Sequence, residues 1–254
     1  MNNRFKLNIK KSPTDERDFI AESIHSSEAE LPKVYDLRNQ LQEIRNQGPY
    51  STCAGHSAAC IKEWQEYKDI NFKGYMSPQF IYNNRYNQNS DGMYSRDVMK
   101  ILNKIGIVTE KEYPYTSEYK ISDELYNKAK KFKIKGYATV TTVEGLKKAL
   151  VKNGPCYFTV PVYNYGRRMW KPSQGDKSLG GHAMCCVGYN KQGFIIRNSW
   201  GKTWGSNGYT TFPYEDWGLH WEVWTVIDEE SGKPIKLPKK ENWFFKFIKN
   251  LFSK

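Results

Sequence analysis

Arg197-Asn198-Ser199-Trp200-Gly201-Lys202-Thr203-Trp204-Gly205-Ser206-Asn207-Gly208-Tyr209 is the stretch on which the reading of this chain turns. Two Trp, three Gly and an Asn at this spacing rarely coincide. Two distant segments belong with it. One is Asn46-Gln47-Gly48-Pro49-Tyr50-Ser51-Thr52-Cys53-Ala54-Gly55-His56-Ser57-Ala58, and the other is Gly180-Gly181-His182-Ala183-Met184. His182 stands 129 residues after Cys53, and Asn198 follows by 16.

These residue types suit a thiol nucleophile. A free Cys is mostly protonated at neutral pH, so its thiolate must be stabilised. Ser51-Thr52 precede a run from Cys53 to Tyr67 with apolar residues at Ala54, Ala58, Ile61 and Trp64, which predicts a helix beginning at Cys53 with Ser51 or Thr52 as its cap. A helix N-terminus offers free amides and partial positive charge to an anion. A His beside the thiol can take its proton and later protonate a leaving amine. An Asn can orient that His by accepting a ring N–H. A Gln side-chain amide can hold a developing oxyanion together with the backbone amide of the nucleophile. Gln47, Cys53, His182 and Asn198 supply this set in order.

The three segments resemble those of the papain-like cysteine peptidases, in the sequence order and separations of that family. Tyr35-Asp36-Leu37-Arg38 resembles the start of the mature chain of the family. Ser77-Pro78-Gln79-Phe80, Asp91-Gly92, Arg96-Asp97, Tyr113-Pro114-Tyr115 and Gly154-Pro155 extend the similarity over roughly 31–227. The resemblance implies a two-lobe α+β fold, a helical lobe and an antiparallel β-barrel-like lobe with the active-site cleft between. It implies hydrolysis of peptide bonds through a thioester acyl-enzyme. Cys53, His182 and Asn198 would form the triad, Gln47 the oxyanion hole, and Trp200 a shield over the His–Asn hydrogen bond. Gly92 and Gly181 would present backbone groups to an extended peptide, and Met93 and Ala183 would line the pocket for the second residue before the scissile bond. No metal and no cofactor is implied. Ala54, Ser51, His56 and Tyr50 replace residues usual in plant and lysosomal members, which resembles a bacterial or phage-type branch without the disulfides. The usual inhibitory pro-domain is far longer than the leader here, so control of activity is expected elsewhere or not at all. A catalytically inactive binding protein of the same fold and a cell-wall peptide hydrolase are the alternatives.

Composition sets the outer limits. The chain has 254 residues, 39% apolar, 26% charged and 15% aromatic, enough to build a large core. No apolar run approaches the ~18 residues of a membrane-spanning helix. The first residues contain no apolar signal core, so a cytoplasmic location is expected, peripheral to a membrane or associated with phage as variants of it. Net charge is +12. Lys233 to Lys254 hold seven Lys and one Glu, half of that excess, so the body is only mildly basic and no nucleic acid is expected. The five cysteines are odd in number and contain no CxxC pair, which argues against a disulfide framework or structural zinc. Cys60, Cys156, Cys185 and Cys186 read as core residues, with Cys185 and Cys186 on opposite faces of a strand. His56 and His220 read as structural.

Organisation follows from the pattern. Residues 1–30 read as a polar leader, 31–230 as a peptidase domain with a helical lobe over about 45–126 and a β lobe over about 127–230, and 231–254 as a basic tail. Ser77-Pro78 opens a second helix and Ser95–Lys104 forms a third, ended by Gly106. Strands are expected at 137–142, 156–162, 182–189, 194–198, 208–212 and 221–227, with a short helix at 146–151. Residues 243–254 carry apolar side chains at helical spacing opposite Lys, a basic amphipathic helix suited to an anionic membrane surface or a protein partner.

Overall fold

The computed structural model describes residues 5–24, 30–118 and 120–228. The chain opens with strand β1 (Ile9–Lys10), a single helical turn α1 (Ala21–Ile24) and strand β2 (Tyr35–Asp36). A helical half follows, with α2 (Cys53–Ile70), α3 (Pro78–Asn83), the two-residue strand β3 (Met93–Tyr94), α4 (Ser95–Lys104) and α5 (Asp123–Ala129). The rest is mainly strand: β4 (Gly136–Thr139), α6 (Val143–Asn153), β5 (Cys156–Val162), β6 (Gly180–Asn190), β7 (Gly193–Arg197), β8 (Tyr209–Pro213) and β9 (Glu222–Ile227).

Helix α2 runs through the interior. The periodicity predicted a helix with one apolar side, but Cys53 to Glu63 are buried on every side. Small residues permit this. A Cβ on Gly55 would lie 2.2 Å from the carbonyl oxygen of Pro78, so α3 packs directly on the α2 backbone there. Lys62, fully buried, is neutralised by Glu66 at 2.8 Å and by Asp228. Asn71, in the left-handed region at φ 55°, closes the helix. Helix α3 begins as expected, with Pro78 in its first turn and the Ser77 hydroxyl accepting from the Phe80 amide. Helix α4 buries Val98, Met99, Ile101 and Leu102 along one face.

Seven strands form one antiparallel sheet in the order β4-β9-β5-β6-β7-β8, with β2 pairing on β6. The expected barrel-like closure is absent: β4 and β8 are the two ends of an open sheet. Strand β4 has only four residues, and β8 ends at Pro213, which has no amide to donate. The sheet is covered on both faces. Tyr157, Cys185 and Trp224 face α2, whereas Cys156, Phe158 and Cys186 pack in a second core with Leu146, Ala149 and Leu150 of α6. The alternation along β5, and the opposite facing of Cys185 and Cys186, follow the two-residue period of a strand. Among the described residues no helix is long and apolar enough to cross a membrane. The amphipathic segment 243–254 and the rest of the tail from 229 lie outside the described residues.

Candidate active site

Cys53 is the first residue of α2 and is 1% exposed. Thr52 takes the cap position, but its side chain does not cap. Its hydroxyl is instead 2.6 Å from the Tyr115 hydroxyl, which donates to the Gln47 carbonyl. The start of α2 thus has no side-chain cap from Thr52. The amides of Ala183, Ala54, Asn8 and Cys53 itself favour a thiolate, yet burial outweighs them and pushes the Cys53 thiol up. The Ala183 amide thus puts β6 beside the start of α2, and His182 is the residue before it on that strand.

His182 is fully buried, and its Nε2 lies 2.7 Å from Asn198 Oδ1. Asn198 can only accept through Oδ1, so Nε2 carries the proton and Nδ1 is the basic nitrogen. Nδ1 has no hydrogen-bond partner among the described residues. Burial lowers the His182 pKa to about 4, partly offset by Asn198. Burial acts in the same sense on both groups, against a charged thiolate and against a charged imidazolium. Asn198 Oδ1 also accepts from the Ser199 amide at 2.7 Å, which locks its rotamer. Trp200 stacks on His182, with ring centroids 4.5 Å apart, and covers the His182–Asn198 contact from solvent. Trp204 packs edge-on against Trp200.

Gln47 is fully buried and held at both ends of its amide. Oε1 accepts from the Ser199 hydroxyl at 2.8 Å, and Nε2 donates to the Tyr50 carbonyl at 2.9 Å and towards the Lys6 carbonyl at 3.4 Å. A carbonyl of the leader thus occupies the space in front of the Gln47 donor.

The leader does more than touch this donor. Phe5 stacks on Trp200 at 4.7 Å with the rings 5° apart. Asn8 bridges to Gly181 on one wall, and its carbonyl accepts from the Met93 amide at 3.1 Å on the other. Its side chain donates to the Ser51 hydroxyl. Ile9 pairs with Met93 and is buried in the same core as Cys53, Met93 and Ala183. Gly92 and Gly181 flank this strand closely: a Cβ on Gly181 would lie 2.3 Å from the Ile9 carbonyl, and one on Gly92 3.1 Å from that of Asn8. Gly92 spends its own amide on the Ser90 hydroxyl, so Met93 is the donor on that wall. Residues 5–9 therefore lie against Trp200, Gln47, Met93 and Gly181. Phe5, Leu7 and Ile9 alternate with polar residues, and that period-two pattern in a polar segment was the signal.

His56 and His220 make backbone and packing contacts. His56 Nδ1 lies 3.0 Å from the Thr52 carbonyl, and burial lowers its pKa to about 3. His220 packs on Phe158 and Trp217 and accepts from the Gly218 amide. Cys60, Cys156, Cys185 and Cys186 are buried free thiols. Among the described residues no group of His, Cys, Asp and Glu could hold a metal ion.

Comparison with known proteins places the chain. A family model for the papain family cysteine proteases matches residues 31–220. A peptidase C1-like protein of Acanthamoeba polyphaga mimivirus is 32% identical over 237 residues, 81% of this chain and 75% of its own. Cathepsin K of Mus musculus is 28% identical over 76% of this chain, which spans 64% of the length of that relative. Among solved structures, xylellain, a cysteine protease from Xylella fastidiosa, superposes with a TM-score of 0.77 at 27% identity, covering 91% of this chain and 99% of that one.

Proposed function

Because the chain belongs to the papain family of cysteine proteases, we propose that Cys53, His182, Asn198 and Gln47 carry out peptide-bond hydrolysis in the cleft now filled by the leader. One observation carries the assignment. His182 donates from Nε2 to Asn198 beneath the ring of Trp200, which leaves Nδ1 as the basic nitrogen of a ring whose next residue, Ala183, has its amide at the Cys53 thiol.

The chemistry then balances. The Cys53 thiol passes its proton to His182 Nδ1, and the sulfur attacks the carbonyl carbon of the peptide. Negative charge forms on the carbonyl oxygen, where Gln47 Nε2 and the Cys53 amide donate. The imidazolium gives its proton to the leaving nitrogen, the C–N bond breaks, and a thioester remains. Water gives a proton to His182 and its oxygen to the carbonyl carbon, which releases the acid and restores the thiol. Asn198 keeps the ring in the required tautomer throughout. Trp200 excludes water that would compete for the Nε2 proton. Met93 and Ala183 contact the side chain of the second residue before the scissile bond, and Gly181 and the Gly92–Met93 backbone hold the peptide extended.

The leader blocks this path. It enters at Trp200 with Phe5, passes the Gln47 donor at Lys6 and reaches Met93 and Ala183 at Ile9. A substrate with its earlier residues at Met93 and Ala183 runs the opposite way. The leader therefore lies reversed in the cleft and occupies it without presenting a bond for attack.

The test uses an epoxysuccinyl thiol reagent and a peptide substrate. Labelling should fall on Cys53 alone and disappear in His182→Ala. Turnover should vanish in Cys53→Ala and His182→Ala and persist in Cys60→Ala. Loss of turnover in Cys60→Ala with retention in Cys53→Ala would overturn the assignment.

A further inference from the structure

Asn198 is satisfied on one side of its amide and not on the other. Its Oδ1 takes the ring N–H of His182 and the Ser199 amide, each at 2.7 Å. Its Nδ2 is a buried donor with no hydrogen-bond partner among the described residues. A donor buried without an acceptor destabilises the position it occupies. Asn198 borders a small cavity of about 20 Å³, together with His56, Ser57, Arg45, Arg197 and Ser199. That volume suits one water molecule, and polar walls of this kind supply the two to four partners that a buried water needs.

His56 offers the acceptor. It is buried on α2, one turn after Cys53. Its Nδ1 lies 3.0 Å from the Thr52 carbonyl. A carbonyl only accepts, so Nδ1 carries the proton and Nε2 keeps its lone pair. Tyr115 packs edge-on against the ring, with centroids 5.0 Å apart, and steadies it. Burial first, and the Arg45 charge after it, hold the imidazole neutral, so the lone pair is not lost to a proton. The other large side chains of the wall are donors already engaged. Arg45 is bound to Glu63 at 2.7 Å, to Glu110 at 2.6 Å and to the Met76 carbonyl. Arg197 donates to the Tyr209 hydroxyl and the Glu43 carbonyl, and the Ser199 hydroxyl to Gln47.

We propose that His56 is a positioning residue for Asn198, acting through one water in this cavity that accepts from Asn198 Nδ2 and donates to His56 Nε2. The proposal rests on the cysteine-peptidase reading of Cys53, His182 and Asn198. Without an acceptor behind it, Asn198 gains by turning or shifting towards one. Either movement loosens the bond from His182 Nε2–H, and that bond is what keeps Nδ1 basic. The water closes the shell of Asn198 from behind, as the Ser199 amide closes it in front.

The experiment compares His56→Phe and His56→Gln in the full chain carrying Ile9→Asp, which places a charge where the leader docks and clears the cleft. Phe keeps a ring against Tyr115 and removes the acceptor, whereas Gln retains an amide oxygen that can accept. On one peptide substrate His56→Phe should lower kcat by about tenfold, the scale of one hydrogen bond, with KM within about twofold. His56→Gln should stay within about threefold of the parent. In an Asn198→Ala background His56→Phe should change kcat no further, because the two residues act as one unit. A loss of equal size with and without Asn198, an equal loss in the Phe and Gln variants, or no loss in His56→Phe would overturn the inference alone. Should His56→Phe not fold, a crystal structure of the full chain decides. A water within hydrogen-bond distance of both His56 Nε2 and Asn198 Nδ2 supports the inference, and a cavity without one overturns it. Absence of turnover in the parent, with no labelling of Cys53, would overturn the peptidase reading and this inference with it.

Discussion

Gln47 and His182 mark the limits of what a single residue can be asked to do here. Gln47 is held on one side by Ser199 and Tyr50 and faces the leader with the other. Its amide is fixed before any charge develops, and that is what makes a donor effective towards an oxyanion. Gln47→Ala should therefore lower kcat by about 100- to 1000-fold with a much smaller change in KM. Steady-state kinetics on one peptide substrate decides it, and an effect confined to KM would remove Gln47 from the oxyanion role. His182 shows the opposite dependence. Burial lowers its pKa to about 4, while the contact with Asn198 works in the other direction.

At the scale of elements, the leader strand, α2 and β6 meet at one point. Strand β1 is only two residues long, yet it pairs with β3 while Asn8 bridges to Gly181, and the segment 5–9 buries Phe5, Leu7 and Ile9. Burying one such side chain is worth about 1.5–3 kcal/mol, so Ile9 accounts for a large part of the docking of this segment. Ile9→Asp should raise the rate of Cys53 alkylation by about tenfold or more, read by intact mass against time. An unchanged rate would mean that the leader already leaves the cleft freely. Helix α2 and strands β5 to β9 were legible in the sequence because their periods of 3.6 and two residues are local. The pairing of β1 with β3 was not, since each has two residues and neither forms a pattern alone. The open edge of the sheet was also illegible. Strand propensity does not say whether the first and last strands meet.

For the whole molecule, two buried imidazoles, His56 and His182, and the half-buried His220 shape the response to acid among the described residues. His56 is lowered to about 3, and His182 and His220 to about 4, in each case first by burial. The unfolded chain binds protons at these groups near pH 6.5. Between pH 6.5 and about 4 the unfolded state holds more protons than the folded one, so stability falls as pH falls through that window and is fully present above it. Glu63 and Asp69, raised by burial, work in the opposite sense. Two carboxyls oppose three imidazoles, and Asp69 is exposed. The Tm should drop by about 3 °C or more from pH 7 to pH 5. A Tm that is flat or rising over that range would show that the imidazoles are not held neutral by the fold.

The sequence by itself determined the family, the order of thiol, imidazole and amide, and most of the elements that carry them. Those features are local spacings or residue types with few other uses, such as Asn198 followed by Trp200 and Trp204. The tertiary structure alone decided that Thr52 bonds Tyr115 rather than capping α2, that residues 5–9 lie in the cleft, and that Glu222 falls in one row with Ala183. Each of these depends on groups distant in sequence, 63 residues apart for Thr52 and Tyr115 and 24 apart for Thr159 and Ala183, with Glu222 opposite Thr159 on its other side. Only the register of β5 against β6 and β9 says which side chains share a face. That register is set by packing on both sides of the sheet, which no short window of sequence contains.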